Sequence, residues 1–237
     1  MIRIFFVLFT LGIFALMVKL GFWQLSRAEE KSQWQAELTS RMHDRALNFS
    51  ELLVLSEQTD NPSGYRFALT AKALSAPLIL LDNQVFDGKV GYLVYQLFEV
   101  TPDSPKLLVE LGFIAAQQQR YQLPSPPAVQ GEMFLQGKVY RKEVNPLSQQ
   151  LFADTQSPMR IQNMHFAQLS EQLGYQVMPL VLQPDVLEGI ELPRPWHPLP
   201  MSPEKHLGYA LQWFSMAAAL LLLSVLFVLR QRHRNSG

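Results

Sequence analysis

The chain has 237 residues with 20 basic and 20 acidic side chains, so it carries no formal net charge. That balance excludes the broad positive field that nucleic acid requires and the acidic tail of a cation buffer. Cysteine is absent, which excludes a disulfide framework, a thiolate nucleophile and a cysteine-based zinc or copper site.

Residues 4–23 form the first predicted element, a membrane-spanning helix. The run from Ile4 to Val18 is apolar, Lys19 can snorkel outward, and Leu20-Gly-Phe-Trp23 completes the length needed to span. A secretory signal peptide is the rival reading, and Arg3 suits it. However, Trp23-Gln-Leu-Ser-Arg27 stands where a small-x-small cleavage site belongs. The apolar run begins at Ile4, leaving no room for an Arg- and Ser-rich transit peptide, so a bacterial cytoplasmic membrane is expected over a mitochondrial one.

Residues 24–205 are expected to form one β-rich domain, large enough for a single core and too small for two comfortable ones. Arg27 to Arg45 is charged and helix-favouring, and continues the first helix out of the membrane. Alternating or short apolar runs then predict six strands: Tyr65–Lys72, Pro77–Asp82, Gly91–Glu99, Lys106–Ile114, Glu132–Tyr140 and Gln176–Leu182. Asn83 to Lys89 reads as turn and connection. Short helices are expected at Ala115–Arg120 and Phe166–Leu173. The spacing of the six strands is that of an antiparallel sheet or barrel. Leu192 to Pro200, with four prolines, reads as an extended strap leading back to the membrane.

Residues 207–229 contain no charged side chain. At ~1.5 Å per residue they give about 35 Å of helix, enough to cross a bilayer. Arg230, Arg232 and Arg234 in the tail 230–237 outweigh Arg194 and Lys205 on the other side, which favours a cytoplasmic C-terminus. Two spans put both termini on one side and the β-rich domain on the other. The fold class expected is therefore an α+β membrane protein: two transmembrane helices flanking one extracytoplasmic β-rich domain.

Enzyme chemistry finds little support. There is no Gly-rich phosphate loop, no Gly-x-Ser-x-Gly and no His-Glu-x-x-His. His43 beside Asp44, and His165 at the start of a short helix, read as solvated residues, and His197 reads as packing in the strap. The residues at the membrane-facing end of the two spans differ. On the first helix Trp23 and Arg27 share a face, with Gly21 and Gln24 beside them. On the second, His206, Tyr209 and Trp213 recur at i, i+3 and i+7, with Gly208 and Gln212 beside them. Gly21 and Gly208 would let the backbones approach closely. Gathered together, these groups suit a flat apolar ring with acidic substituents: a neutral imidazole for the metal, aromatics against the ring and Arg27 for a carboxylate. An aromatic belt with an interfacial histidine explains the same spacing and stays open beside it.

The same residues carry a family resemblance. Leu20-Gly-Phe-Trp-Gln-Leu-Ser-Arg27 with Lys31, His206-Leu-Gly-Tyr-Ala-Leu-Gln-Trp213, and Gly88 with Gly91-Tyr-Leu-Val94 resemble motifs of the surfeit locus protein 1 family. Those proteins are cytochrome c oxidase assembly factors. The resemblance implies a non-enzymatic inner-membrane factor that handles haem a for oxidase subunit I alongside other assembly factors. It implies His206 as ligand to the haem iron; Tyr209, Trp213, Trp23, Arg27 and Gln24 are the neighbours expected around the cofactor from their place on the two helices. Its alternative is a membrane-anchored scaffold that stabilises oxidase subunits without haem, contacting them through strand-face residues such as Tyr92 or Phe113. The chain departs from the family pattern at Leu108-Val-Glu-Leu-Gly-Phe113, where relatives commonly read Leu-Val-Asn-Arg-Gly-Trp. The Tyr-Arg strand keeps Tyr65-Arg66 but has Ala68 and lacks the glycine that follows in many relatives.

Overall fold

The structure, a computed structural model, describes residues 2–119, 122–142, 150–154, 156–196 and 201–235. His197 and the end of the strap lie outside the described residues. The chain divides into two units, one of residues 1–37 and 199–237 and the other of residues 38–198.

Helix α1 (Ile2–His43) runs from the first unit into the second. At about 1.5 Å per residue it is roughly twice as long as a bilayer core is thick, so the charged stretch after Trp23 does continue the helix. Within the second unit, Leu38 is buried and packs beneath Gly64, whose positive φ of 94° sharpens the turn there. Arg41 donates to the carbonyls of Asn61 and Ser63, both at 3.0 Å.

Helix α2 (Phe49–Gln58) begins in a reciprocal cap. The Asn48 side chain accepts from the Glu51 N–H at 3.1 Å, and the Glu51 carboxylate accepts from the Asn48 N–H at 2.9 Å. Arg45 also pairs with that carboxylate, and its hydrogen bond holds Glu51 down to about 2. Asn48→Ala should lower stability by about 1 kcal/mol, measured as a small drop in thermal unfolding midpoint in detergent. An unchanged midpoint would remove the cap from the accounting.

The strands are β1 (Arg66–Ala73), β2 (Ile79–Phe86), β3 (Lys89–Glu99), β4 (Lys106–Ala115), β5 (Glu132–Tyr140), β6 (Met159–Ile161) and β7 (Val177–Pro184), with helix α3 (Phe166–Leu173) before β7. They lie in the order β1-β5-β7-β4-β3-β2-β6, and β1 also pairs with β3. That extra pairing closes five strands into a ring, with β2 and β6 continuing from the lower half of β3.

Alternation along the strands explains two cores. Phe67, Leu69, Tyr92, Val94, Leu107, Val109, Leu135, Leu180 and Leu182 fill the inside of the ring, with Leu52 of α2 packed among them. Their neighbours Leu93, Tyr95, Leu97, Leu108 and Val181 face outward but are covered by Leu169 of α3, Leu151, Met159 and Met164. Both faces of β3 and β4 are therefore buried, which is why these strands read as almost continuous apolar runs.

The fold class is as expected: two long apolar helices flank an α+β sheet domain. Four particulars differ. The sheet is mixed, because β4–β7 and β2–β6 are parallel. Asn83 to Lys89 is mostly strand: β2 passes a bulge at Asn83 and turns into β3 at Asp87-Gly88, where φ is 49° and 71°. The expected helix at Ala115–Arg120 is not formed in the described residues up to Gln119, since β4 runs through Ala115 and the Ala116 N–H donates to Val90 O at 3.0 Å. Tyr92 and Phe113 are core residues, 1 % and 5 % exposed, and do not present a docking face.

Candidate functional site

The first unit contains α1 up to residue 37 and helix α4 (Pro203–Asn235). Both are long and apolar enough to cross a membrane. Pro203 opens α4, where its fixed φ suits a first helical residue and its missing N–H costs nothing. The helices pair antiparallel: His206 meets Gln24, while Phe214, two turns further along α4, meets Gly21 and Phe22.

Burial marks the seam. On α4 it falls on Pro203, His206, Ala210, Trp213 and Ala217; on α1 on Met17, Gly21, Gln24, Ala28 and Lys31. Steps alternating between three and four residues are those of a left-handed coiled-coil pair. Gly21 sits where a β-carbon would lie 2.6 Å from the Phe214 ring, so its missing side chain sets the approach of the two helices. Gly208 plays no such part, having nothing within 4 Å of its β position.

His206 is buried in this seam and its Nδ1 lies 2.7 Å from Gln24 Oε1. The other predicted site residues stand apart from that pair. Phe22 and Phe214 meet edge to face at 5.3 Å and mark one flank of the seam. At ~100° per residue, Trp23 and Arg27 fall on the opposite flank of α1, and Tyr209 and Gln212 on the matching flank of α4. Trp23 and Tyr209 are 50 % and 45 % exposed, and Trp213 is half-buried at the seam edge. Arg27 lies over the Trp23 ring at 5.7 Å and pairs with Glu30 at 2.6 Å. One imidazole is thus fixed inside the pair, beside an exposed flank of indole, phenol and guanidinium. The three α4 residues expected on one face differ in burial, because the seam follows the heptad step and passes Tyr209 by.

The remaining described histidines serve the backbone or face solvent. His43 is exposed, with Nδ1 2.7 Å from Thr39 O, and His165 caps α3 by accepting from the Gln168 N–H. Among the described residues no three of His, Cys, Asp or Glu gather to hold a metal ion. A group bound through its metal would depend on His206 and on the chemistry of the flank. The groups present there are one imidazole, exposed aromatic surface and a guanidinium paired with Glu30.

The second unit holds a polar cluster that sequence reasoning missed. Glu110 on β4 accepts from the Tyr140 hydroxyl and from Gln183 Nε2 at 3.0 Å, and Tyr95 lies 3.1 Å from the Tyr140 oxygen. Gln183 also donates to Pro195 O at 3.2 Å, and Trp196 meets the Tyr140 ring edge-on at 6.1 Å, so the strap covers the cluster. Burial pushes Glu110 up from the usual carboxylate range, opposed by the Tyr140 and Gln183 bonds and by the Lys142 and Arg194 charges. Its only sequence signal is a carboxylate within the apolar run Leu107 to Phe113, at the segment departing from the family pattern.

Comparison with curated proteins gives no match. A family model described as SURF1 family matches residues 11–218, from within α1, through the sheet unit, and past Trp213 in α4. That family is associated with cytochrome c oxidase assembly. The match spans most of the chain and both helices of the seam; the chain belongs to the SURF1 family.

Proposed function

We propose that the protein is an assembly factor of a haem-copper cytochrome c oxidase that holds haem a at the helix pair and passes it to subunit I. The observation that carries this reading is the burial of His206 against Gln24, both within the family match. His206 would provide the nitrogen ligand to the iron. Arg27 would exchange Glu30 for a propionate, a charge-assisted pairing that a guanidinium makes well. Trp23, Tyr209 and Trp213 would offer aromatic surface to the ring. Haem a, when bound, supplies the redox iron that the oxidase needs, and the chain's residues only hold and release it. A single histidine with exposed neighbours favours release over storage.

The basic tail at Arg230, Arg232 and Arg234 supports cytoplasmic termini in a bacterial inner membrane, with the sheet unit in the periplasm. Purification in detergent from cells making haem a, followed by absorption spectra, tests the proposal. Wild type should show a Soret band that His206→Ala loses almost entirely. Equal haem content in the two proteins would remove His206 from the ligand role.

A further inference from the structure

We infer that Gln24 is a positioning residue that locks His206 in its Nδ1–H tautomer, so that Nε2 keeps the lone pair an imidazole uses to bind iron. This deepens the haem reading and rests on it for its purpose, though not for its test. The geometry is a 2.7 Å contact between His206 Nδ1 and Gln24 Oε1. An amide oxygen can only accept, so Nδ1 must donate, and a neutral imidazole carries a single N–H. The proton is then spent on Gln24, and Nε2 is left unprotonated.

Packing holds the amide in place. Gln24 occupies a seam position between Gly21 and Ala28, and Ala210 follows His206 one turn along α4; all three small residues are buried. Small residues on both helices keep the backbones close and leave the Gln24 side chain little room to swing away. Metal-bound histidines almost always donate their second ring N–H to a carbonyl, carboxylate or water, which fixes ring orientation and raises ligand basicity. Here the carbonyl comes from the opposite helix. The nitrogen's readiness to bind a metal is therefore coupled to helix pairing, a link that a lone histidine in an aromatic belt does not need.

The test uses the full-length protein in detergent micelles with ¹⁵N-labelled histidine and no haem, His206 being assigned by comparison with His206→Gln. Wild type should show a protonated Nδ1 and a lone-pair Nε2. Gln24→Leu, apolar and suited to a membrane seam, should move the proton toward Nε2, and Gln24→Glu should return it to Nδ1. Wild type with the proton on Nε2, or a Gln24→Leu spectrum unchanged from wild type, overturns the inference. In a parallel titration with iron protoporphyrin IX, Gln24→Leu should bind about 10- to 100-fold more weakly than wild type, with Gln24→Glu close to wild type. Equal affinity in Gln24→Leu also overturns the inference. A wild type that keeps the stated tautomer but binds no porphyrin overturns the haem reading and leaves the lock standing.

Discussion

Gly137→Ala is expected to lower the unfolding midpoint of the sheet unit by about 10 °C, from a loss of about 3 kcal/mol. Gly137 lies on β5 opposite Pro184 of β7 and opposite Phe67 of β1, in the interior of the closed ring. A β-carbon there would lie 2.1 Å from the Gln183 carbonyl oxygen and 2.7 Å from Pro184 Cα. Both are backbone atoms of a paired strand, so neither can step aside as a side-chain tip can. The β5–β7 pair would have to separate, and that pair helps close the ring. Gly91 meets the same limit on the other side, with Ile114 O at 2.2 Å. Gly208→Ala is the control: its β position is open and it sits in a helix, so the change should leave stability unchanged or raise it by up to about 1 kcal/mol. Thermal unfolding in detergent, followed by near-ultraviolet circular dichroism, separates the two. A Gly137→Ala midpoint within 2–3 °C of wild type would mean that the strands are looser than their register implies.

Six of the seven strands and both long helices were legible because their signal is local: period-two alternation, apolar runs, and charge beginning at Arg27. What was not legible depends on partners distant in sequence. The parallel pairing of β4 with β7 joins Val109 to Leu182, and nothing in either segment distinguishes that from an antiparallel neighbour. Residues Met159 to Ile161 form a strand only because β2 offers an edge. Helix α2 was readable in principle from Asn48 and Glu51, the two ends of its cap. At the candidate site, residue type singled out His206, Gln24, Trp23 and Arg27, but type does not reveal rotation. The small residues Gly21, Ala28, Ala210 and Ala217 set the seam, and they turn His206 toward Gln24 while leaving Trp23 and Tyr209 exposed. Glu110 was hidden for a related reason: a carboxylate in a strand reads as an exposed position until Tyr140 and Gln183 arrive from two other strands to satisfy it.

That buried carboxylate should make stability depend on pH in a direction opposite to most acidic groups. Glu110 is raised from its ordinary value of 4.5 by burial, so between 4.5 and its folded-state value the native protein holds a proton that the unfolded chain has released. Its contribution is fully present below 4.5 and is lost as pH rises through the folded-state value. Within that window each pH unit removes up to about 1.4 kcal/mol. Glu110→Gln has no proton to lose. The difference in stability, variant minus wild type, should therefore grow as pH rises through the window and level off above it, while the other titrating groups cancel in the subtraction. Glutamine does not reproduce the cluster fully: with its carbonyl kept on Gln183 Nε2, its NH2 faces the Tyr140 hydroxyl, which must turn to accept, and its second N–H needs an acceptor that a carboxylic acid does not. At pH 4 the variant should accordingly be the less stable of the two by about 1 kcal/mol. Tyr140→Phe tests the same balance from the other side. It removes the hydroxyl that donates to Glu110 and lies beside Tyr95, which should cost about 2 kcal/mol for the acceptor left bare. It also removes one of the interactions holding Glu110 down, so the pH-dependent loss should extend to higher pH than in wild type. Thermal unfolding of the three proteins from pH 4 to pH 9 decides the matter. A constant gap between wild type and Glu110→Gln across that range would mean that Glu110 titrates like an exposed carboxylate, with its cluster open to water beneath the strap.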